Sequence, residues 1–316
     1  MENARVLINT VKDNIGKVLV GKEDVIDLVL TSLVAGGHVL LEDVPGTGKT
    51  MLAKSLAKSL DTSFGRIQFT PDLLPSDVTG LNYFHQKEGE FKFRKGPVFA
   101  NIVLADEINR ATPRTQASLL ECMEERQVTV DGETRKLEEP FFVIATQNPL
   151  ETTGTFPLPE AQLDRFFMKL SMGLPDKNEE INIMKRFLAD TPYEKLEAVC
   201  SGTNVLEAKE EIKNIYIHEI LLEYIAHIVQ ATRENRNILS GVSPRGTLAL
   251  VHACQAYAWL KGRNYVVPED IKRLAVPVLA HRLVLARGYG SSATGEKEIY
   301  GILNQVSVPT EEWEKK

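Results

Sequence analysis

Leu40–Thr50 reads LLEDVPGTGKT, an apolar run that breaks into a glycine-bearing loop and then into helix-forming residues. The informative part is Val44-Pro45-Gly46-Thr47-Gly48-Lys49-Thr50. Gly46 and Gly48 carry no Cβ, so main-chain N–H groups there can curl around phosphate oxygens. A helix that starts at the anion turns its positive dipole end towards it. Thr47 and Met51 belong to the same loop and first turn, Lys49 can reach the β- and γ-phosphates, and the Thr50 hydroxyl can ligate Mg2+. Asp43 stands where the GxxxxGK[ST] pattern has its first glycine. That position opens the loop rather than touching phosphate, so the pattern still predicts a strand–loop–helix unit for ATP and Mg2+.

A second strand end supports it. Ile102–Glu107, IVLADE, places two acids at the close of an apolar run, 57 residues after Lys49. Asp106 would hold Mg2+, directly or through water, and Glu107 would orient and polarise an attacking water.

Outward from these motifs, short apolar runs alternate with helical patterns, which predicts an α/β fold with a parallel sheet flanked by helices. The predicted strands are His38–Glu42, Arg66–Phe69, Ile102–Asp106, Phe141–Thr146 and Phe166–Met172, with helices over Thr50–Leu60 and Thr115–Glu125. Two hairpins interrupt the alternation. Gln127–Lys136 turns at Asp131-Gly132, a strong hairpin pair. Tyr83–Phe99 turns at Gly89, with Phe91 and Phe93 on one face. After Met172 the strand signal ends, and Pro175 to about Tyr224 is polar and helical. Ser243 then predicts an N-cap, Pro244 a first helical position and Gly262 a terminator, and a further helix runs from Pro268 towards His281. The expected division is 1–173, a nucleotide-binding core, and 174–316, a linker and small all-α lid.

Composition bounds the rest. The 316 residues are 43% hydrophobic and 25% charged, with 37 Lys+Arg against 43 Asp+Glu for a net charge of −6. That balance disfavours a general nucleic-acid binder. Seven Glu oppose three Lys within Glu194–Tyr224, so the acid excess is concentrated in one polar stretch and reads as a solvated helix face. No run approaches the ~18 apolar residues of a membrane span. The N-terminus lacks the layout of a secretory signal, and Cys122, Cys200 and Cys254 suggest neither disulfides nor a metal site, so a cytoplasmic protein is expected. The six histidines form no metal motif, and His218 and His227 are expected in surface or core roles.

With these motifs the chain resembles the AAA+ ATPases, and within them the MoxR group, over nearly its whole length. The resemblance rests on Leu40–Thr50, on LADEINRATPRTQASLLECMEERQVTVDG (Leu104–Gly132), on ATQNPLETTGTFPLPEAQLDRF (Ala145–Phe166) and on SPRGT (Ser243–Thr247). MoxR proteins commonly carry Asp where the generic pattern has its first glycine. Their usual PPKTQ is here Thr112-Pro113-Arg114-Thr115-Gln116, a basic-for-basic exchange. The resemblance implies that Asn148 is the sensor 1 residue that positions the lytic water, with Thr146 as the alternative. Arg165 resembles an arginine finger that enters a neighbouring subunit's site, and a surface pair with Glu160 or Asp164 is the plainer reading. Arg245 resembles sensor 2, reaching from the lid to the phosphates, and Arg110 and Arg114 are candidates for the subunit interface. The hairpins would face the ring pore or a client, or Phe91 and Phe93 would simply pack on their own domain.

The expected protein is therefore an ATPase that assembles into a ring, a hexamer by resemblance, for chaperone-like remodelling or maturation of other proteins. MoxR proteins typically act with von Willebrand factor A-type partners, and such a partner is expected to be a separate chain. A nucleic-acid motor is the first alternative, kept open by Lys87, Lys92, Arg94 and Lys95 in the first hairpin. A nucleotide-gated scaffold with little turnover is the second, and Glu107, Asn148 and Arg165 argue against it. A small-molecule kinase is least favoured, because nothing after Met172 suggests a second substrate pocket.

Overall fold

The computed structural model describes residues 4–150, 154–189, 192–286 and 294–309. Glu151–Thr153 of the Ala145–Phe166 motif and the chain end at Lys316 fall outside them. Two helices, α1 (Ala4–Gly16) and α2 (Glu23–Val34), precede the first strand. The core sheet contains β1 (Val39–Glu42), β2 (Phe64–Gln68), β5 (Ile102–Asp106), β8 (Phe142–Gln147) and β9 (Met168–Leu170). Its order is β2-β5-β8-β1-β9, and every pairing is parallel.

Period-two alternation sends the apolar side chains of the central strands to opposite faces. Val39, Leu41, Ile102, Leu104, Phe142 and Ile144 join one core with Leu52 and Leu56 of α3 (Lys49–Ser59). Leu40, Val103, Ala105, Val143 and Ala145 join a second core with Leu119, Leu120 and Met123 of α5 (Pro113–Glu125). Burial on both faces is why these strands read as continuous apolar runs.

Both expected hairpins form. The first is β3 (Gly80–His85) with β4 (Glu90–Lys95), after the short α4 (Pro75–Thr79). It begins three residues earlier than expected, and Pro97–Phe99 is a 3-10 turn rather than strand, because Pro97 has no N–H for a ladder. The second, β6 (Gln127–Val130) with β7 (Glu133–Lys136), turns at Asp131 and Gly132, both at positive φ. The two hairpins touch. Asn82 Nδ2 donates to Asp131 at 2.8 Å, and the Arg135 guanidinium lies 4.2 Å over the Phe93 ring. Phe93 thus packs within its own domain, whereas Phe91 is 74% exposed and meets Phe84 edge-on.

After the short α6 (Glu160–Leu163) and β9, the chain turns helical: α7 (Lys177–Ala189), α8 (Gly202–Glu211), α9 (Glu219–Glu234), α10 (Pro244–Leu260), α11 (Pro268–Leu279) and α12 (Gly295–Gln305). Ser243 caps α10 by accepting from Gly246 N–H at 3.3 Å, Pro244 is its first residue, and Gly262 follows its end at φ 80°. One element departs from expectation. β10 (Ile238–Ser240) pairs antiparallel with β11 (Val284–Leu285), a ribbon too short for a periodic signal. His218 caps α9 through Nδ1, which accepts from Ile220 N–H. Among the described residues no helix is long and apolar enough to cross a membrane.

Candidate active site

Parallel strands present their carboxyl ends on one rim, and ligands of open α/β sheets bind there. Adjacent β1, β8 and β5 end in Glu42, Gln147 and Asp106, so the loop after β1, Asn148 and the acid pair meet. Their cavity, about 310 Å3, is lined by Pro45, Gly46, Gly48, Lys49, Thr50, Met51, Asp106, Glu107 and Asn148. Gly46 and Gly48 stand at φ 86° and 94°, a region closed to most L side chains, and Gly48 is the residue from which α3 starts. Thr47 does not line the cavity; it is buried, with its hydroxyl donating back to Val44 O at 3.4 Å. Lys49 Nζ donates to Asp43 O at 2.7 Å and Val44 O at 3.3 Å. Burial lowers the Lys49 pKa, opposed by the charges of Asp43, Asp106 and Glu107.

The acid pair is held by neighbours that sequence reasoning missed or assigned otherwise. Thr146, fully buried, donates to Asp106 Oδ1 at 2.8 Å and accepts from Glu107 N–H at 2.8 Å. Its hydroxyl is thus committed to the acids, while Asn148 faces the cavity and accepts from Leu150 N–H through Oδ1 at 3.1 Å. Arg66 Nη2 lies 2.7 Å from Asp106 Oδ2. Gln68 Nε2 donates to Glu107 Oε2 at 2.9 Å, and Arg110 Nε sits 3.1 Å from the same oxygen. Glu107 has φ 57°, a left-handed conformation uncommon outside glycine, and these bonds hold it there. Arg66 and Gln68 are two polar residues at period two in a strand, a visible signal; that β2 lies beside β5 is not visible in the sequence.

The remaining two arginines are elsewhere. Neither Arg165 nor Arg245 lines the phosphate-loop cavity. Both bind Glu124 in the last turn of α5, Arg165 through Oε2 and Arg245 at 2.6 Å through Oε1. The partner expected on the plainer reading of Arg165, Glu160 or Asp164, is thus replaced by Glu124. Likewise, Arg245 does not reach back to this chain's own phosphate loop. A second cavity of about 370 Å3 is lined by both, with Glu124, Arg126, Asp164 and Arg282. Arg282 is the unforeseen member. Its buried guanidinium lies 2.8 Å from Asp164 Oδ1 and donates to the carbonyls of Phe166 at 2.8 Å and Phe167 at 3.3 Å. Burial pulls its pKa down to about 10, against the opposing charge of Asp164. It passes Gly246 so closely that an added Cβ would lie 2.8 Å from its Cδ.

Chemically, the first cavity can hold a polyphosphate. Main-chain N–H groups of the loop, the α3 N-terminus and Lys49 are the donors that a phosphate chain would meet there, and Thr50 and Asp106 offer hard oxygen donors of the kind Mg2+ takes. Among the described residues no group of three or more His, Cys, Asp or Glu could hold a metal unaided. Mg2+ bound by one carboxylate, one hydroxyl and substrate phosphates needs no such cage.

Known proteins agree with this architecture. Residues 38–168 match the ATPase family associated with various cellular activities (AAA), and residues 230–300 match the AAA lid domain. The chain is 39% identical to Chaperone MoxR1 of Mycobacterium tuberculosis over 93% of its length and 80% of that protein's. It is 32% identical to Protein MoxR of Paracoccus denitrificans, covering 86% and 87%. A crystal structure of a candidate ATPase from Cytophaga hutchinsonii superposes with a TM-score of 0.90 at 42% identity, over 97% of this chain and 96% of that one.

Proposed function

The chain belongs to the MoxR group of AAA+ ATPases, and from that premise we propose that it hydrolyses ATP at the phosphate-loop cavity within a hexameric ring. The observation that carries this reading is the convergence of Lys49, Thr50, Asp106, Glu107 and Asn148 on one cavity. The loop N–H groups and Lys49 bind the phosphates. Glu107, fixed by Gln68 and Arg110, orients the attacking water and takes its proton, with Asn148 beside it. Mg2+, held by Thr50 and Asp106, supplies neutralisation of phosphate charge when bound.

The cavity lacks an arginine among its described lining residues, and phosphoryl transfer gains from one. Arg165 and Arg245, joined through Glu124, supply it to a neighbouring subunit rather than to their own. The output is chaperone-like remodelling or maturation of other proteins, in line with the relative named as a chaperone. A von Willebrand factor A-type partner would direct that output, and the exposed Phe84–Phe91 edge of the first hairpin is the surface offered to client or pore.

Glu107→Gln tests the core of this reading. It keeps the size and the cavity but removes the base, so turnover should fall about 10²–10⁴-fold while ATP affinity stays near that of the parent. With ATP, the variant should sediment as a ring and retain its protein partner. Turnover at the parent rate, or a strictly monomeric protein under ATP, would sink the proposal.

A further inference from the structure

The residue that departs from the generic loop pattern makes contacts a glycine could not. Asp43 is buried at the end of β1. Its N–H donates to Gln147 O of β8 at 3.2 Å, and its carbonyl accepts Lys49 Nζ at 2.7 Å. Its carboxylate reaches 128 to 130 residues along the chain. It accepts from Ser171 Oγ at 2.7 Å, from Met172 N–H at 2.7 Å and from Gly173 N–H at 3.1 Å. Those three residues are where the chain leaves β9 for the helical half. Lys22, at the start of α2, closes the other side by donating to Gly173 O at 3.3 Å.

We propose that Asp43 is a positioning residue that couples phosphate contact at Lys49 to the connection between core and lid. Resting on the ATPase reading, this goes beyond it. One residue holds Lys49 through its carbonyl and the connection through its carboxylate. When a phosphate oxygen takes the Lys49 ammonium, the Asp43 carbonyl loses its charged donor, and the residue resettles with Ser171–Gly173 attached. Hydrogen bonds to an ionised carboxylate are stronger than neutral ones, so the shift passes on rather than dissipating. A glycine at 43 would bind phosphate through the same loop, yet leave the buried Met172 N–H unpaired and the lid connection untied.

Asp43→Gly and Asp43→Asn, compared with the parent full chain using ATP with Mg2+ and ADP with Mg2+, test this. Asp43→Gly is expected to bind ATP within about threefold of the parent and turn over about tenfold more slowly, the usual size of coupling between sites. In the parent, ATP should change amide hydrogen exchange at Met172 and Gly173; in Asp43→Gly it should not. Asp43→Asn keeps one acceptor for the Met172 N–H and should recover part of both the rate and the response. Equal proportional losses of affinity and turnover would mark a merely structural role and overturn the proposal, as would unchanged turnover.

Should the glycine variant not fold, Ser171→Ala removes a single bond on the connection side and leaves the loop intact. It should lower kcat about threefold at unchanged ATP affinity, and an unaltered kcat would count against the coupling. A parent chain that fails to bind ATP removes both this inference and the ATPase reading. One that binds and hydrolyses ATP without any change at Met172 and Gly173 removes this inference alone.

Discussion

The phosphate-loop cavity and the arginine pocket are built in opposite ways. The first is framed by main chain, with glycines at positive φ and a helix start, and takes side chains from the loop and from adjacent strand ends. The second owes its chemistry to six charged side chains among apolar neighbours, the charges gathered from the end of α5, the segment before β9, the start of α10 and the turn after α11. Backbone geometry is written in consecutive residues, so the first cavity can be specified by a short motif. Side-chain clusters depend on which elements become neighbours. Each region also lacks what the other has, since among the described residues no arginine lines the cavity and no phosphate-loop residue lines the pocket. On the proposed function the two regions would be complementary halves of one site, brought together by a second copy of the chain.

Arg165→Ala tests that complementarity most severely. Turnover should drop about 10³-fold, at the lower end of what such fingers contribute, while ATP affinity changes little. Mixing it with Lys49→Ala, itself inactive, should restore measurable hydrolysis, because each variant supplies the half the other lacks. Rings that stay inactive on mixing, or Arg165→Ala at the parent rate, would break the comparison.

How far the sequence revealed each half follows from the same distinction. Gly46, Gly48, Lys49, Thr50, Asp106 and Glu107 were legible, because a strand end followed by a loop is a local pattern, whereas Asn148 was singled out only through family resemblance. The strand interiors were legible for a similar reason, since burial on both faces makes β1, β5 and β8 unbroken apolar runs. Arg165 and Arg245 were legible only through family resemblance, and their common partner Glu124 was not legible at all. Nothing local marks Glu124 among the charges of α5; the contact spans 121 residues to Arg245. Arg282 was hidden similarly, because a charged residue after an amphipathic helix reads as solvated until the fold buries it.

Arg282→Met should have the next largest effect, on stability rather than chemistry. Asp164 and the Phe166 and Phe167 carbonyls would lose their charged donor beneath the lid. Breaking a buried pair from one side costs about 3–5 kcal/mol, measurable as a loss of unfolding free energy in urea. If the arginine pocket is held by tertiary contacts while the phosphate loop is held locally, amide protection should fall around Asp164–Phe167 before it falls in α3. Equal loss in both would show that the two regions unfold as one unit.

Acid should act on the same side of the comparison, with the smallest effect. His38 lies against the arginine pocket, its Nε2 3.0 Å from Met123 O and its Nδ1 accepting from Val143 N–H at 3.0 Å. Burial, helped by the Arg126 charge, pushes its pKa down to about 3. His281 is lowered in the same direction by burial and by Arg282. Among the described residues no histidine lines the phosphate-loop cavity. The folded-state pKa of His38 lies below the unfolded value near 6.5, so below that pH the unfolded chain binds more protons. This contribution to stability is therefore complete above about pH 6.5 and is lost as pH falls from there towards 3. Between pH 7.5 and 5.5 it amounts to about 1.4 kcal/mol. Carboxylates titrate alike in the parent and in His38→Gln, so the difference between their urea unfolding curves isolates the imidazole. The parent should lose about 1.4 kcal/mol more than the variant over that interval, and parallel pH profiles would mean that His38 is not held neutral.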